Sequence, residues 1–234
     1  EAKHPFDDHG AKFAKSGIPF YVCPGTSSWN SIGGRTDNAL GNLLNAAENG
    51  LKHGAIGYLN TDWGDRGHWQ PLPVSYIGFA AGAAYSWCLS TNRSFDVINS
   101  VSRFAFNDDS GNAGEAAYRL GNIYKTLNQQ PPNSSKLFRV LQNSPQGNKV
   151  TIEKDEAQLA RQAIEEAMSF WGKAQMKRAD ANLILREYDL VARLLQHACQ
   201  RGLFLGGEKI ERSQLQQEVP TLVEDYKAIW LARN

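Results

Sequence analysis

The order of predicted strands and helices in the first ninety residues constrains the fold more than any other feature of this chain. Two apolar segments, residues 18–23 and 55–61, have the length and composition of short buried strands. A helical pattern follows each of them, over residues 36–48 and 74–89. Strand–loop–helix repeated twice is the unit of parallel α/β folds, in which binding residues concentrate in the loops after the strands.

The chain is predicted to be helical after residue 90. The expected helices cover residues 95–106, 113–127, 136–142, 154–201 and 213–232. Only Gly172 interrupts the fourth, which leaves open one helix on the order of 70 Å or two shorter helices. The chain therefore divides into an α/β region, residues 1–90, followed by an all-α region, residues 91–234, that forms a C-terminal helical bundle.

Two parallel strands are too few to complete a sheet of this kind. Parallel sheets are normally covered on both faces, and a closed barrel needs more strands. The sequence also starts at Glu1 rather than at Met. We therefore expect this chain to be part of a longer protein, and the sequence leaves open the compartment in which that protein works.

Composition and charge argue against several classes of partner. The formal charge is +1 with acidic and basic residues mixed, so no nucleic-acid partner is expected. No apolar run approaches the ~20 residues of a membrane span, so no membrane partner is expected either. The cysteines, Cys23, Cys88 and Cys199, are far apart, and neither a disulfide framework nor a zinc site is predicted.

The loop after the second strand carries the residues that best indicate a function. Residues 62–69 hold two Trp, two Asp, an Arg and a His. The flat face of a pyranose stacks on an indole, and its hydroxyls donate to carboxylates. We therefore predict that Trp63 forms a wall of a sugar site and that Asp65 accepts hydrogen bonds from the sugar. The alternative is a buried Trp63 and an Asp65 that caps the next turn.

Two further residues are candidates for the same site. Trp29 lies in the loop after the first strand, which a parallel arrangement places near Trp63. It could equally well be an aromatic lid on the core. His68 could bind a hydroxyl or transfer a proton, although a lone loop histidine is more often a surface or hydrogen-bonding residue.

Charged residues near these loops allow other interpretations. Arg35 could pair with Asp37, with Asp65 or with a substrate, and a local ion pair is favoured. Three other histidines show no metal-ligand spacing with His68, namely His4, His9 and His53. The sequence therefore predicts neither a metal nor a cofactor.

Several short segments carry a resemblance to a known family. They are residues 23–30 (CPGTSSWN), 34–39 (GRTDNA), 61–65 (TDWGD), 67–71 (GHWQP) and 229–234 (IWLARN). They resemble the C-terminal end of the catalytic barrel in bacterial glycoside hydrolase family 20, the β-N-acetylhexosaminidase family. The resemblance covers the first ninety residues well and the helical remainder loosely. It implies that residues 1–90 are the last two βα units of a TIM-type (β/α)₈ barrel, with the rest of the barrel missing from this chain.

The resemblance also implies an activity. The family removes terminal N-acetylhexosamines with retention, and the substrate's own acetamido oxygen is the nucleophile. A glutamate acts as general acid, and a neighbouring aspartate orients the acetamide. No adjacent Asp-Glu pair occurs in residues 1–90, and Asp155-Glu156 is better placed to complement a helix dipole. The parent protein is therefore expected to be an exo-glycosidase, and this chain alone to lack the catalytic pair and activity.

The family's last-strand Trp-x-Glu maps onto Trp63-Gly64-Asp65, with a shorter carboxylate in this sequence. The predicted substrate-binding residues are Trp63, Asp65, Trp29 and His68, and the predicted ligand is a carbohydrate ending in an N-acetylhexosamine. One alternative is a carbohydrate-binding or helical interaction module that performs no chemistry. Another is a retaining glycosidase of a different barrel family that uses its own carboxylate nucleophile.

Overall fold

In a computed structural model the chain is predominantly helical, as predicted, with 62% of its residues in helices and 3% in strands. The structure describes residues 1–143 and 149–234. Its strands are β1 (Tyr21–Val22) and β2 (Gly57–Tyr58). Its α-helices are α1 (Asp7–Ser16), α2 (Thr36–Lys52), α3 (Tyr76–Trp87), α4 (Leu89–Asn92), α5 (Val97–Ser100), α6 (Asn112–Leu120), α7 (Lys136–Gln142), α8 (Lys154–Trp171), α9 (Ala181–Leu205) and α10 (Arg212–Arg233).

The two strands pair in parallel, and α2 connects them. Tyr21 lies opposite Gly57, and a further parallel bridge joins Gly25 to Thr61. The predicted parallel pairing of the two apolar segments is therefore confirmed. Two strands do not amount to a barrel, and the (β/α)₈ assignment stays a prediction.

Helices α2 and α3 cover one face of this small sheet. The Tyr58 hydroxyl donates to the Leu43 carbonyl of α2 at 3.0 Å. Helix α3 approaches the strands so closely that a Cβ added to Gly82 would lie 2.1 Å from Nδ2 of Asn60. The small residue Gly82 therefore leaves room for the Asn60 side chain, which lies just after β2.

The opposite face of the sheet has no cover among the described residues. Tyr21 and Leu59 lie on this face, because alternate residues of a strand share a face, and they are 56% and 53% exposed. Each strand also has one unpaired edge within the described chain. An apolar face of this kind is unusual for a parallel sheet, whose two faces are normally both buried.

The helical region packs around α8 and α9. These are two separate helices rather than one, since α8 ends before Gly172 and α9 begins at Ala181. Trp171 and Tyr188 pack ring to ring in the core, with centroids 4.2 Å apart. Ile32, from the first ninety residues, belongs to the same core cluster. None of the described helices is long and apolar enough to cross a membrane.

Two elements depart from the predicted pattern. The sequence does not predict α1, because Gly10 is its one buried residue and no apolar stripe marks it. The helix is held at the end of α2 instead by the Asp7 carboxylate, whose Oδ1 lies 2.7 Å from Nζ of Lys52 and 2.6 Å from Nε2 of His53. The predicted helix over 113–127 ends earlier, and a 3₁₀ turn, Ile123–Thr126, completes that segment.

Candidate functional site

The loops that follow β1 and β2 lie side by side. The backbone N–H of Thr26 donates to the Thr61 carbonyl at 2.9 Å. Further along, the Ser28 hydroxyl donates to the Trp63 carbonyl at 2.8 Å. The backbone of the second loop is therefore fixed against the first loop, as the parallel arrangement predicts.

A cavity of about 400 Å³ lies between these loops and the N-terminal segment, from which Glu1, His4, Pro5, Phe6 and His9 line it. Trp29 from the first loop and Trp63 and Asp65 from the second loop all line it. Three of the four predicted substrate-binding residues therefore share one cavity. Cys23, at the end of β1, and Asn133, from the helical region, line it as well.

Trp63 and Asp65 form the open part of the cavity. The Trp63 side chain is 58% exposed, so the alternative of a buried Trp63 is wrong. Asp65 is exposed and accepts no hydrogen bond from any described residue, so it does not cap the following turn. Both of its carboxylate oxygens are therefore available to a ligand beside an exposed indole.

Trp29 forms the rigid inner wall of the cavity. It is only 7% exposed, and its indole Nε1 donates to Oδ1 of Asn133 at 2.5 Å and to Oε1 of Glu1 at 3.3 Å. The Arg35 guanidinium lies 5.1 Å from the ring centroid, within the range of a cation–π contact. A Cβ added to Gly25 would lie 2.6 Å from the ring, so this position requires glycine.

Arg35 does not form the predicted local ion pair with Asp37. Its Nη1 instead lies 2.7 Å from the Glu1 carboxylate, while Asp37 pairs with Lys125 and accepts from the Tyr118 hydroxyl. Asp37 belongs to the first turn of α2 and is directed at the helical region, away from the Arg35 side chain. Burial acts to raise the pKa of the Glu1 carboxyl, but the Arg35 guanidinium outweighs it and holds that pKa below its usual value.

His68 lines a different cavity from the other three predicted residues. That second cavity measures about 250 Å³ and is bounded by Tyr226 and Trp230 of α10. Nε2 of His68 lies 3.6 Å from Oδ2 of Asp62. The structure therefore places His68 beside Asp62 and α10, and does not bring it to the cavity shared by the two tryptophans.

A tight turn explains why residues so close in sequence line different cavities. Arg66, Gly67 and His68 all have positive φ, at 58°, 101° and 43°. Consecutive residues in the left-handed region reverse the chain direction sharply, and non-glycine residues adopt it infrequently. The spacing in the sequence gives no sign of this reversal.

Asp62 connects both loops to the start of α3. Its Oδ1 accepts from the hydroxyl of Thr26 and, at 2.8 Å, from the hydroxyl of Ser75. The Ser75 hydroxyl in turn accepts from Nε2 of Gln70 at 2.9 Å. Asp62 was not singled out from the sequence, because its donors Thr26 and Ser75 lie 36 and 13 residues away along the chain.

The adjacent pair Asp155-Glu156 lies in the first turn of α8 and has a structural role, as predicted. Glu156 is buried, completes a capping box with Glu153 and lies 2.8 Å from Nζ of Lys136. Burial acts to raise its pKa, and the hydrogen bond from Lys136 with two backbone N–H donors outweighs that effect and lowers it. This carboxylate is therefore fully engaged in holding the start of α8.

Nothing in the described part of the chain groups three or more His, Cys, Asp or Glu side chains as a metal site would. The cysteines are all free. Hydrogen bonds from Ser90 and Thr91 lower the pKa of the Cys88 thiol to about 7, whereas burial raises that of Cys199 to about 12.

Comparison of this chain with protein-family models, with curated proteins and with solved structures finds no match. The resemblance to glycoside hydrolase family 20 therefore rests on the short sequence segments alone, four in the first ninety residues and one at residues 229–234. Any function for the cavity has to be argued from its own residues.

Proposed function

We propose that this chain supplies the aromatic and carboxylate wall of a sugar pocket in an exo-glycosidase that removes terminal N-acetylhexosamines. In this proposal the chain is the C-terminal portion of the enzyme, and the substrate's acetamido oxygen serves as the nucleophile. The chain's own residues bind and orient the terminal sugar. The general acid belongs to a part of the enzyme outside these 234 residues.

One observation carries the proposal. An exposed indole, Trp63, and a carboxylate without a partner among the described residues, Asp65, line the same cavity at the ends of two parallel strands. Stacking on the indole would hold the apolar face of a pyranose ring, and the carboxylate would accept from its hydroxyls. Binding sites of parallel α/β proteins occur at this edge of the sheet.

The uncovered face of the sheet supports the view that further strands belong to the enzyme. Tyr21 and Leu59 are exposed on that face, and each strand has a free edge in the described chain. Additional parallel strands would bury these side chains and pair the free backbone groups. The same strands would bring their own loops to the edge where the cavity lies.

A carbohydrate-binding module that performs no chemistry is the second candidate. The number of carboxylates in the cavity that are free to bind a ligand favours it. Glu1 is engaged by Arg35, and Asp65 is the remaining described carboxylate there. A single free carboxylate suits binding better than it suits general acid catalysis with an orienting partner.

Calorimetric titration of the purified chain with N-acetylglucosamine tests the proposed pocket. A charged hydrogen bond contributes about 1.5–3 kcal/mol, so Asp65→Ala should weaken binding roughly 10–150-fold. Trp63→Ala should weaken it by a similar factor through lost stacking. Trp87→Ala is the matched control, because that tryptophan is 88% exposed and lines a different cavity.

Two results would contradict the proposal. One is a wild-type chain that does not bind the sugar, and the other is binding unaffected by both cavity substitutions. A chromogenic N-acetylglucosaminide separates the remaining interpretations, because the missing general acid should cost ~10²–10⁴-fold in rate. Robust turnover by the chain alone would favour a glycosidase with its own catalytic carboxylates.

A further inference from the structure

We infer that Asn133 is a specificity-determining residue of this pocket, and that its side-chain N–H group donates to an acceptor oxygen of the bound sugar. This inference rests on the proposed function. Asn133 belongs to the helical region, 104 residues after Trp29 in sequence, and its side chain lines the same cavity. No pattern in the sequence connects it with the sugar site.

The orientation of the Asn133 amide follows from its partner. The indole Nε1 of Trp29 is a donor and cannot accept, so the amide atom 2.5 Å away must be Oδ1. With Oδ1 engaged, Nδ2 is the free end of the amide. Asn133 is exposed, and Nδ2 donates to no described residue, so its two N–H groups remain available at the cavity.

Hydrogen bonds to the loop that carries Trp29 hold the backbone of Asn133 and of the two residues after it in place. The Nδ2 group of Asn30 donates to the Asn133 carbonyl at 3.0 Å. In return, the N–H of Ser135 donates to the Asn30 carbonyl at 3.0 Å, and the buried Ser134 hydroxyl donates to the same oxygen at 3.3 Å. This reciprocal set ties the helical region to the loop that carries Trp29.

The conformation of Asn133 also limits what can occupy the position. Its φ is +54°, in the left-handed region that asparagine and aspartate adopt more readily than other side chains. A donor fixed in this way loses little conformational entropy when a ligand binds. The pocket thus pairs an immobile donor with the acceptor Asp65, which matches a sugar that both donates and accepts.

The aspartate variant isolates the donor from the structural contact. Asn133→Asp keeps an oxygen for Trp29, keeps the shape and tolerates positive φ, but it removes both N–H groups. It also adds a carboxylate near that of Glu1, which accepts from the same indole N–H. Because the Arg35 guanidinium already pairs with Glu1, we expect the melting temperature to stay within about 2 °C of the wild type. The dissociation constant for N-acetylglucosamine should rise at least about fivefold, since a ligand acceptor loses its donor and meets a carboxylate.

Titration with two sugars shows which oxygen Asn133 contacts. If the donor meets the acetamido carbonyl, Asn133→Asp should weaken N-acetylglucosamine binding and leave glucose binding unchanged. If it meets a ring hydroxyl, both sugars should weaken together. Either result supports the inference.

Asp65→Ala, measured in parallel, separates failure of this inference from failure of the pocket. Unchanged binding of both sugars by Asn133→Asp, with binding weakened by Asp65→Ala, would overturn the inference and leave the pocket intact. Absence of binding by the wild-type chain, or binding insensitive to both substitutions, would overturn the proposed pocket and the inference together. A loss of several degrees in the melting temperature of Asn133→Asp would show that the amide is structural, and this too would overturn the inference.

Discussion

At the scale of single residues, Asp62 decides how the two cavity loops sit relative to each other. Its Oδ1 accepts from Thr26 in the first loop and from Ser75 at the start of α3, while Oδ2 faces His68. Because both hydroxyls share one oxygen, an isosteric amide can keep those bonds. Comparing the amide with alanine therefore separates the contribution of the two hydroxyl hydrogen bonds from that of the contact with His68.

We therefore predict different costs for two substitutions of Asp62. Asp62→Ala leaves two buried hydroxyls without their acceptor and should lower the free energy of unfolding by about 2–4 kcal/mol. Asp62→Asn should lower it by about 1 kcal/mol, since an amide oxygen is a weaker acceptor than a carboxylate. Urea denaturation measures both values. Equal losses for the two variants would show that the charge or the His68 contact matters more than the loop link.

The sequence could predict the place of some of these residues in the candidate site but not of others. It predicted that Trp63 and Asp65 lie together, because two suitable side chains follow a recognisable strand and remain adjacent in the folded loop. It could not predict the position of His68, since the positive φ values at residues 66–68 direct that side chain to another cavity. It could not predict the position of Asn133 either, because the contact of Asn133 with Trp29 spans 104 residues.

At the scale of elements, α10 is attached to α9 by a buried ion pair. The Arg233 guanidinium binds Glu187 through two nitrogens, at 2.9 and 2.5 Å, and Asp180 through a third contact at 2.8 Å. The Glu187 side chain is 1% exposed. The hydrogen bonds that Asp180 accepts from Arg178, and then the one from Arg233, hold the pKa of its carboxyl well below the usual range.

We predict that Arg233→Met destabilises the chain by about 3–5 kcal/mol, because it leaves the Glu187 carboxylate buried without a partner. The double variant Arg233→Met with Glu187→Gln should recover part of that loss. Lys227→Met is the matched control on the same helix; its partner Glu224 is exposed, and the change should stay within about 0.5 kcal/mol. Urea denaturation that gives equal losses for Arg233→Met and Lys227→Met would contradict this account.

The helices themselves were largely predictable from local sequence. The segment of α7 matches its prediction, since a Ser135 cap and an apolar stripe mark it. Gly172 signalled the break between α8 and α9 without showing whether the chain reversed there. The short α1 was missed, because its position depends on contacts with α2 rather than on its own pattern.

At the scale of the whole molecule, the described chain joins a small parallel sheet to a helical core and leaves one face of the sheet open. The predicted parallel order is confirmed, and the barrel is an extrapolation from it. Ile32 lies in the helical core, so the region near the cavity and the helical region are packed together. This packing is what allows Asn133 to reach the cavity that the strand loops and the N-terminal segment line.

The most direct test of the central claim uses the six tryptophans of the chain as reporters. Two-dimensional ¹⁵N–¹H spectra, with indole signals assigned by single Trp→Phe substitutions, would be recorded during a titration with N-acetylglucosamine. Because the claim places the sugar between Trp29 and Trp63, their indole signals should shift in a saturable manner. The signals of Trp87 and of the buried Trp171 should not move. Shifts confined to tryptophans outside the cavity, or no shifts at saturating sugar, would contradict the claim.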